Sequence, residues 1–97
     1  MQTIETQKVL ELTVNNHPGV MSHVCGLFSR RAYNMDGILC MPGDDGKVSI
    51  IWIRVDSNRQ LEQIVKQLQK LEDVQDVRYH GTEQEVFIRL EDFFNIA

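Results

Sequence analysis

Cysteine, proline and long apolar runs are all scarce in this sequence. Its 97 residues include two cysteines and two prolines. Two cysteines are too few for the disulfide framework that small secreted domains need, so we expect reduced thiols and a cytoplasmic location. No apolar stretch reaches the length of a membrane span, about 20 residues, and the first residues lack the basic and apolar regions of a signal peptide. We therefore predict no membrane partner.

Basic charge is scarce as well. Lysine and arginine number 10 against 14 aspartate and glutamate residues, which gives a formal net charge of −4. A chain with this balance has no basic field to attract a phosphate polymer. Aromatic residues make up only 7% of the sequence, and the third predicted strand lacks the combined aromatic and basic signature of RNA-binding sheets. We predict no nucleic-acid partner.

The composition that remains is that of one ordinary globular domain. Hydrophobic residues make up 42% and charged residues 25% of the sequence. A chain of this length supports a single hydrophobic core. We expect a flexible N-terminus at residues 1–7, one domain at residues 8–80 and a tail at residues 81–97.

Periodicity predicts the first strand and the first helix. Residues 9–14 alternate between apolar and polar, which is typical of a half-buried strand. Residues 20–33 carry apolar side chains at spacings of three and four, which is typical of one helix face. Turn-forming residues occupy positions 15–19 between them. Asn34 is predicted to end the helix in the left-handed conformation that asparagine tolerates.

The remaining elements complete the order of the fold. Residues 37–41 and 48–55 predict two strands joined by a turn that contains proline and glycine. Residues 61–71 predict an amphipathic helix, and residues 74–80 predict an edge strand. The order β-α-β-β-α-β predicts an α+β, ferredoxin-like fold: a four-stranded antiparallel sheet with both helices on one face.

The C-terminal tail is unusually apolar for a chain terminus. Its spacing suits a short amphipathic helix. The apolar residues concerned are Val86, Phe87, Leu90, Phe93 and Phe94. Such a helix either covers the sheet face that the other two helices leave bare or contacts a partner protein. The sequence leaves both roles open.

No set of catalytic or metal-binding groups is predicted to converge. His23 and Cys25 lie two residues apart on the first helix, so their side chains point about 200° apart and cannot share a site. We interpret His23 as a surface residue and Cys25 as a small core residue. None of the common nucleophile, zinc or phosphate-binding motifs occurs. We predict no catalytic residue and no metal site in this chain.

One loop nevertheless suits a small anion. The segment Asn16, His17, Pro18, Gly19, Val20 leads from the first strand into the first helix. Free N–H groups at a helix start attract carboxylates, and a glycine lets a ligand approach the backbone closely. The alternative interpretation is that Asn16 merely caps the helix and Gly19 merely turns the chain.

Three sequence motifs resemble a known family. The pieces N-x-P-G-V at 16–20 and G-L-F-S-R-R-x-Y-N at 26–34, with L-E-Q-I-V-K-Q-L-Q-K-L-E-D-V at 61–74, resemble the ACT domain of the small, regulatory subunit of acetohydroxyacid (acetolactate) synthase. The resemblance covers residues 8–80 and implies the same β-α-β-β-α-β fold. Because the chain stops at Ala97, it implies the short type that accompanies the valine-sensitive bacterial isozyme.

The resemblance also implies a homodimer with an effector site between its two chains. Carried over by position, the contacts are Asn16, Gly19 and Val20 of one chain with Asn34 and Met35 of the other. His17 and Pro18 stand where the family often has an acidic residue or serine, so they are the weakest of the implied contacts.

The resemblance further implies a function without catalysis. The chain would bind valine and modulate a thiamine-dependent catalytic subunit in branched-chain amino acid biosynthesis. Thiamine diphosphate, FAD and magnesium would belong to that partner, with no cofactor in this chain. Two alternatives remain: a free-standing amino-acid sensor, and a small acylphosphatase-like hydrolase. The hydrolase needs a phosphate-holding arginine in the first loop, and residues 15–19 contain none.

Overall fold

The computed structural model describes residues 7–81 and 85–94. They form seven elements, β1 (Gln7–Asn15), α1 (Val20–Arg30), β2 (Gly37–Pro42), β3 (Val48–Asp56), α2 (Leu61–Lys70), β4 (Val74–His80) and α3 (Glu85–Phe94). The predicted order of strands and helices is confirmed. The expectation of a flexible N-terminus falls almost wholly on residues 1–6, which lie outside the described residues; Gln7 already begins β1.

The four strands make one antiparallel sheet in the order β2-β3-β1-β4. β1 pairs with β3 from Gln7 opposite Asp56 to Asn15 opposite Val48. The predicted hairpin of β2 with β3, the central position of β3 and the edge position of β4 are confirmed. This is the ferredoxin-like arrangement that the alternation of β and α segments predicts.

The core lies between the sheet and the first two helices. Alternate side chains of β1 and β3 point to one face because successive residues of a strand face opposite ways. They pack with the apolar stripes of α1 and α2 into one buried cluster that includes Leu10, Leu12, Ile51, Ile53, Val24, Phe28, Ile64 and Leu68. Both helices therefore lie on the same face of the sheet, as predicted.

The end of α1 differs from the prediction. The helix stops at Arg30, and the residue in the left-handed conformation is Ala32, with φ 53°, not Asn34. The Tyr33 N–H donates to the Phe28 carbonyl at 2.9 Å and the Ala32 N–H to that of Ser29 at 3.0 Å. These two bonds define a Schellman motif, which satisfies carbonyls that a helix end leaves unpaired.

Tyr33 explains why the helix ends there. Its ring packs edge-on against Phe28, with 6.0 Å between the ring centroids, and its hydroxyl donates to the Asp56 carbonyl. Burying this large side chain and pairing its hydroxyl outweigh the cost of a left-handed alanine. The helical periodicity of the sequence continues through residue 33, so it does not predict that this tertiary contact ends the helix at Arg30.

The third helix packs on the sheet face opposite α1 and α2. Phe87 is buried, at 6% exposure, and lies against Gly37 at the start of β2. The predicted amphipathic tail helix is confirmed for Glu85–Phe94, and part of it covers the face that the other helices leave bare. Residues 82–84 and 95–97 of the tail lie outside the described residues.

Two further expectations concern Cys25 and membranes. Cys25 is half-buried rather than a core residue, because its position on α1 lies beside the apolar stripe and not within it. None of the helices in the described part of the chain is long and apolar enough to cross a bilayer.

The left-handed alanine yields a stability prediction. Ala32→Gly should raise the free energy of unfolding by about 0.5–1 kcal/mol, because glycine adopts positive φ without the steric penalty of a Cβ. Urea denaturation followed by circular dichroism measures the change. As the control, Ser29→Gly in the last helical turn should lower stability by about 0.5 kcal/mol. Loss of stability in both variants would contradict the assigned conformation.

Candidate functional site

The loop between β1 and α1 is hydrogen-bonded on both of its flanks. The Asn15 N–H donates to the Asp73 carbonyl at 2.8 Å, and the Asn16 N–H donates to the Lys47 carbonyl at 3.0 Å. The Asn15 side chain adds two bonds, to Asp73 at 3.3 Å and from Gln75 at 2.6 Å. The loop therefore leaves the sheet at a defined position.

Asn16 and Asn34 present the same chemistry to solvent. The Asn16 Nδ2 donates to the Gly46 carbonyl at 2.9 Å, and the Asn34 Nδ2 donates to the Asp36 carboxylate at 2.9 Å. With their amide groups engaged in this way, each exposed side chain offers its carbonyl oxygen as an acceptor. Two such oxygens suit an ammonium group.

Gly19 leaves the start of α1 open. It occupies the N-cap position with φ 92°, a left-handed conformation that favours glycine, and no side chain caps the helix. Since the N-cap residue is Gly19 and no side chain makes a capping bond, the interpretation of Asn16 as the cap is wrong. A Cβ added at Gly19 would meet nothing within 4 Å. The helix N–H groups that lack intrahelical partners are thus open to a carboxylate.

The predicted contacts lie at opposite ends of α1. Gly19 and Val20 begin this helix of 11 residues, which spans about 16 Å, whereas Asn34 and Met35 follow its other end. A single chain therefore does not bring these two groups together. The side chains of Val20 and Met35 pack against the chain's own core, buried and partly buried respectively, and the Val20 N–H donates to the His17 carbonyl at 3.5 Å.

His17 ties the exposed part of the loop to the start of β4. Its Nδ1 lies 2.7 Å from the Pro18 carbonyl oxygen, and its Nε2 lies 2.6 Å from Asp73 Oδ2. Both ring nitrogens face acceptors, which only the doubly protonated imidazolium satisfies. The Pro18 carbonyl and then Asp73 raise the pKa of His17, and the bonds from His17 and Asn15 lower the pKa of Asp73.

Sequence reasoning missed the residues that hold this loop. Asp73, Gly46 and Lys47 lie far from it along the chain, so no local spacing indicates them. The sheet topology indicates them, because Val48 lies opposite Asn15 and Val74 lies opposite Val14. The turn before β3 and the turn before β4 therefore lie at the same end of the sheet as this loop. The predicted ferredoxin-like fold was therefore the available signal.

The residues that most resemble catalytic groups do not form a site. His23 is exposed, and both cysteines are half-buried thiols. Burial raises the pKa of the Cys40 thiol, which keeps it protonated and a poor nucleophile at neutral pH. Across residues 7–81 and 85–94, no three His, Cys, Asp or Glu side chains cluster closely enough to hold a metal ion.

These features define a ferredoxin-like domain with a ligand-accessible loop after its first strand. A profile of the AHAS (acetohydroxyacid synthase) small subunit-like ACT domain matches residues 10–76. The chain is 49% identical over 92 residues to the small subunit of acetolactate synthase isozyme 1 of Escherichia coli K12, covering 95% of this chain and 96% of that protein. The chain belongs to the acetolactate synthase small-subunit family, and its domain is an ACT domain.

Two further relatives support the same assignment. A solved acetolactate synthase small subunit from Thermotoga maritima superposes with a TM-score of 0.68 at 25% identity, over 92% of this chain and 68% of that one. The small subunit of isozyme 3 from E. coli K12 is 42% identical over 69 residues, which cover 70% of this chain and 42% of that protein. The similarity to isozyme 1 thus extends over more of the chain.

The His17–Asp73 ion pair predicts a pH-dependent loop. Because the folded-state pKa of His17 is raised, the stabilisation is complete below about pH 6.5 and is lost as pH rises through that raised value. Because the folded-state pKa of Asp73 is lowered, the stabilisation by the ion pair is also lost in acid, as pH falls through that lowered value. An NMR titration of the imidazole should give a His17 midpoint above 6.5.

Charge-removing variants provide the controls for this titration. Asp73→Asn should lower the pKa of His17 while leaving the larger effect of the Pro18 carbonyl in place. Glu72→Gln removes a charge that makes no hydrogen bond to His17, so it should lower the pKa of His17 less than Asp73→Asn does. A midpoint that is the same in wild type and Asp73→Asn would show that the ion pair does not form.

Proposed function

We propose that this chain is the regulatory subunit of a branched-chain acetohydroxyacid synthase and that it binds valine as a feedback effector. The observation that carries the proposal is the uncapped start of α1 at Gly19, with φ 92° and open space where a side chain would be. Membership of the small-subunit family supports the regulatory role. The thiamine diphosphate, FAD and magnesium of the reaction would be held by the catalytic subunit.

The chemistry of the loop suits a small zwitterion. The first-turn N–H groups after Gly19 donate to the carboxylate of valine, and each such charge-assisted bond contributes about 1.5–3 kcal/mol. The Oδ1 atoms of Asn16 and Asn34 accept from its ammonium group. Met35, partly buried at the surface of the core, supplies apolar contact for its isopropyl group.

A homodimer would complete this site. The two groups of contacts lie at opposite ends of α1, so the loop of one chain must meet Asn34 and Met35 of a second. β2 is an edge strand, and its Ile38 and Met41 are exposed. An unprotected apolar edge of this kind favours pairing with another chain. We therefore propose a two-fold dimer with an effector site at each end of the interface.

Valine would act by favouring one of two arrangements of the assembly. Feedback control needs a coupling of only about 1–3 kcal/mol between the effector and catalytic sites. The alternative of a free-standing sensor predicts no stable partner. Similarity to an acetolactate synthase small subunit over 95% of the chain favours the subunit role. Co-purification of a tagged chain from its native cells distinguishes these two roles. A free-standing sensor would purify without a thiamine-dependent enzyme, whereas a subunit would purify with one.

Gly19 offers a direct test of the effector site. Gly19→Asp should weaken valine binding at least about a hundredfold, or 2.7 kcal/mol, because it adds a Cβ and a negative charge where the ligand carboxylate binds. The folded variant should still stimulate the catalytic subunit, giving a valine-resistant enzyme. Titration calorimetry measures the affinity, and circular dichroism verifies the fold.

Two matched variants separate charge from backbone strain at this position. Gly19→Asn has nearly the same shape as Gly19→Asp and tolerates positive φ, but carries no charge, so its loss of affinity should be smaller. Asn34→Ala removes a single acceptor and should also cost less than Gly19→Asp. Wild-type valine affinity in a folded Gly19→Asp protein would remove this loop from the effector site.

A mixing experiment tests whether the site spans two chains. Gly19→Asp and Asn34→Trp dimers should each bind valine poorly, since each carries a defect in both sites. After subunit exchange, a mixed dimer holds one doubly altered site and one intact site, so about a quarter of all sites should regain wild-type affinity. Calorimetry on the equilibrated mixture measures this fraction.

Sedimentation supplies the control for the mixing experiment. The wild-type chain should sediment as a dimer at tens of micromolar, roughly the range in which a specific interface is populated. If the dimers exchange but no sites recover, or if the chain sediments as a monomer that still binds valine, the two-chain site is wrong.

A further inference from the structure

The four residues before the body of α1, His17 to Val20, form a type II β-turn. Gly19 has φ 92° and ψ −13°, close to the values typical of the third residue of this turn, and Pro18 suits the second position. The Val20 N–H donates to the His17 carbonyl at 3.5 Å, which closes the turn. Types I and II differ chiefly in a rotation of the central peptide unit, here the one between Pro18 and Gly19. Because glycine adopts negative φ as readily as positive φ, both orientations are open to this turn.

The His17 ring selects one of these two orientations. Its Nδ1 lies 2.7 Å from the Pro18 carbonyl oxygen, and its Nε2 lies 2.6 Å from Asp73 Oδ2. The carbonyl oxygen and the N–H of one trans peptide unit point in opposite directions. The Gly19 N–H therefore points away from the ring, and within residues 7–81 and 85–94 it has no hydrogen-bond partner. The ring thus keeps this donor available to a ligand.

His17 is itself supported from the side of the loop that lies away from the proposed dimer contact. Asp73 directly precedes β4, and β4 and β2 are the two opposite edges of the sheet. The second carboxylate oxygen of Asp73 accepts from the Asn15 side chain at 3.3 Å, so the orientation of the carboxylate is fixed. His17 therefore acts on the loop from behind the effector site, a different role from the ligand contact that the family resemblance implies.

Loss of the proton from His17 would favour the other orientation of the peptide unit. A neutral imidazole has one hydrogen for its two nitrogens. Nε2 retains it, because the charge-assisted bond to the Asp73 carboxylate is the stronger of the two. Nδ1 would then face the Pro18 carbonyl oxygen, with an acceptor on each side. Rotation of the peptide unit relieves this repulsion and turns the Gly19 N–H towards Nδ1, where it can donate.

We infer that the protonated His17 ring is a positioning residue of the effector site: it keeps the Gly19 N–H turned outward, and its deprotonation turns this donor inward and weakens valine binding. The inference rests on the proposed function and adds control by protons to it. Asp73 acts on the site through His17 in the same way.

The charged groups around His17 set the pH at which this change occurs. The Pro18 carbonyl has the largest effect, and the acidic groups that face His17 from the turn before β4 are Asp73 and Glu72; together they raise the pKa of His17 above 6.5. His23 acts on Asp73 from α1. The turn between β2 and β3 meets the loop through the Lys47 carbonyl. Valine affinity is therefore highest below this raised pKa and falls as pH rises through it.

The pH dependence of valine affinity tests the inference. Calorimetry should show about tenfold weaker binding at about pH 8.5 than at about pH 6, the change expected when a ligand raises the pKa of one group by about one unit. His17→Gln should lack this dependence, while the titration of valine itself stays the same in both proteins. His23→Gln and His80→Gln replace the other two histidines and should keep the wild-type dependence.

NMR of the chain without valine observes the turn directly. A strong nuclear Overhauser effect between the Pro18 Hα and the Gly19 N–H marks a type II turn, and it is weak in type I. It should weaken as pH rises from about 5.5 to 8, with the midpoint of the His17 imidazole. An effect that stays constant would overturn the inference, as would the same affinity profile in wild type and His17→Gln or a flat profile in His23→Gln. Absence of valine binding at every pH would instead contradict the proposed function.

Discussion

The pairing of β1 with strands on both sides is the constraint on which the candidate site depends. β3 and β4 flank β1, so the turns next to these strands lie beside the loop that leaves β1. Backbone bonds from Asn15 to Asp73 and from Asn16 to Lys47 then hold this loop from two directions. A loop held in this way needs no side-chain cap, and the start of α1 stays open at Gly19.

The opposite end of α1 is set by a different interaction. Tyr33 reaches from the helix end to the Asp56 carbonyl and to Phe28, and the chain turns through Ala32 to place it there. Asn34 follows immediately and lies exposed beside Asp36. The proposed two-chain site would place a ligand between the start of α1 in one chain and Asn34 in the other.

Each face of the sheet has its own role. The face that packs on α1 and α2 carries the apolar core. On the other face, Phe87 and Glu91 of α3 contact Arg54 of β3. One side of α3 therefore covers the sheet while its last turn, with Phe93 and Phe94, extends apolar surface into solvent. Of the two roles that the tail sequence leaves open, covering the bare sheet face is the one that Phe87 of α3 performs.

The order of the elements follows from the sequence alone, because periods of two and of three to four residues follow directly from backbone geometry. The sequence also indicates which loop is open, since Pro18 fixes its own φ and Gly19 permits the positive φ of 92° at the start of α1. The end of α1 instead depends on the tertiary structure, because the contact of Tyr33 with Asp56 joins distant parts of the chain. For the same reason the tertiary structure alone brought Asp73 to His17 and Phe87 to Gly37, contacts that no local pattern encodes.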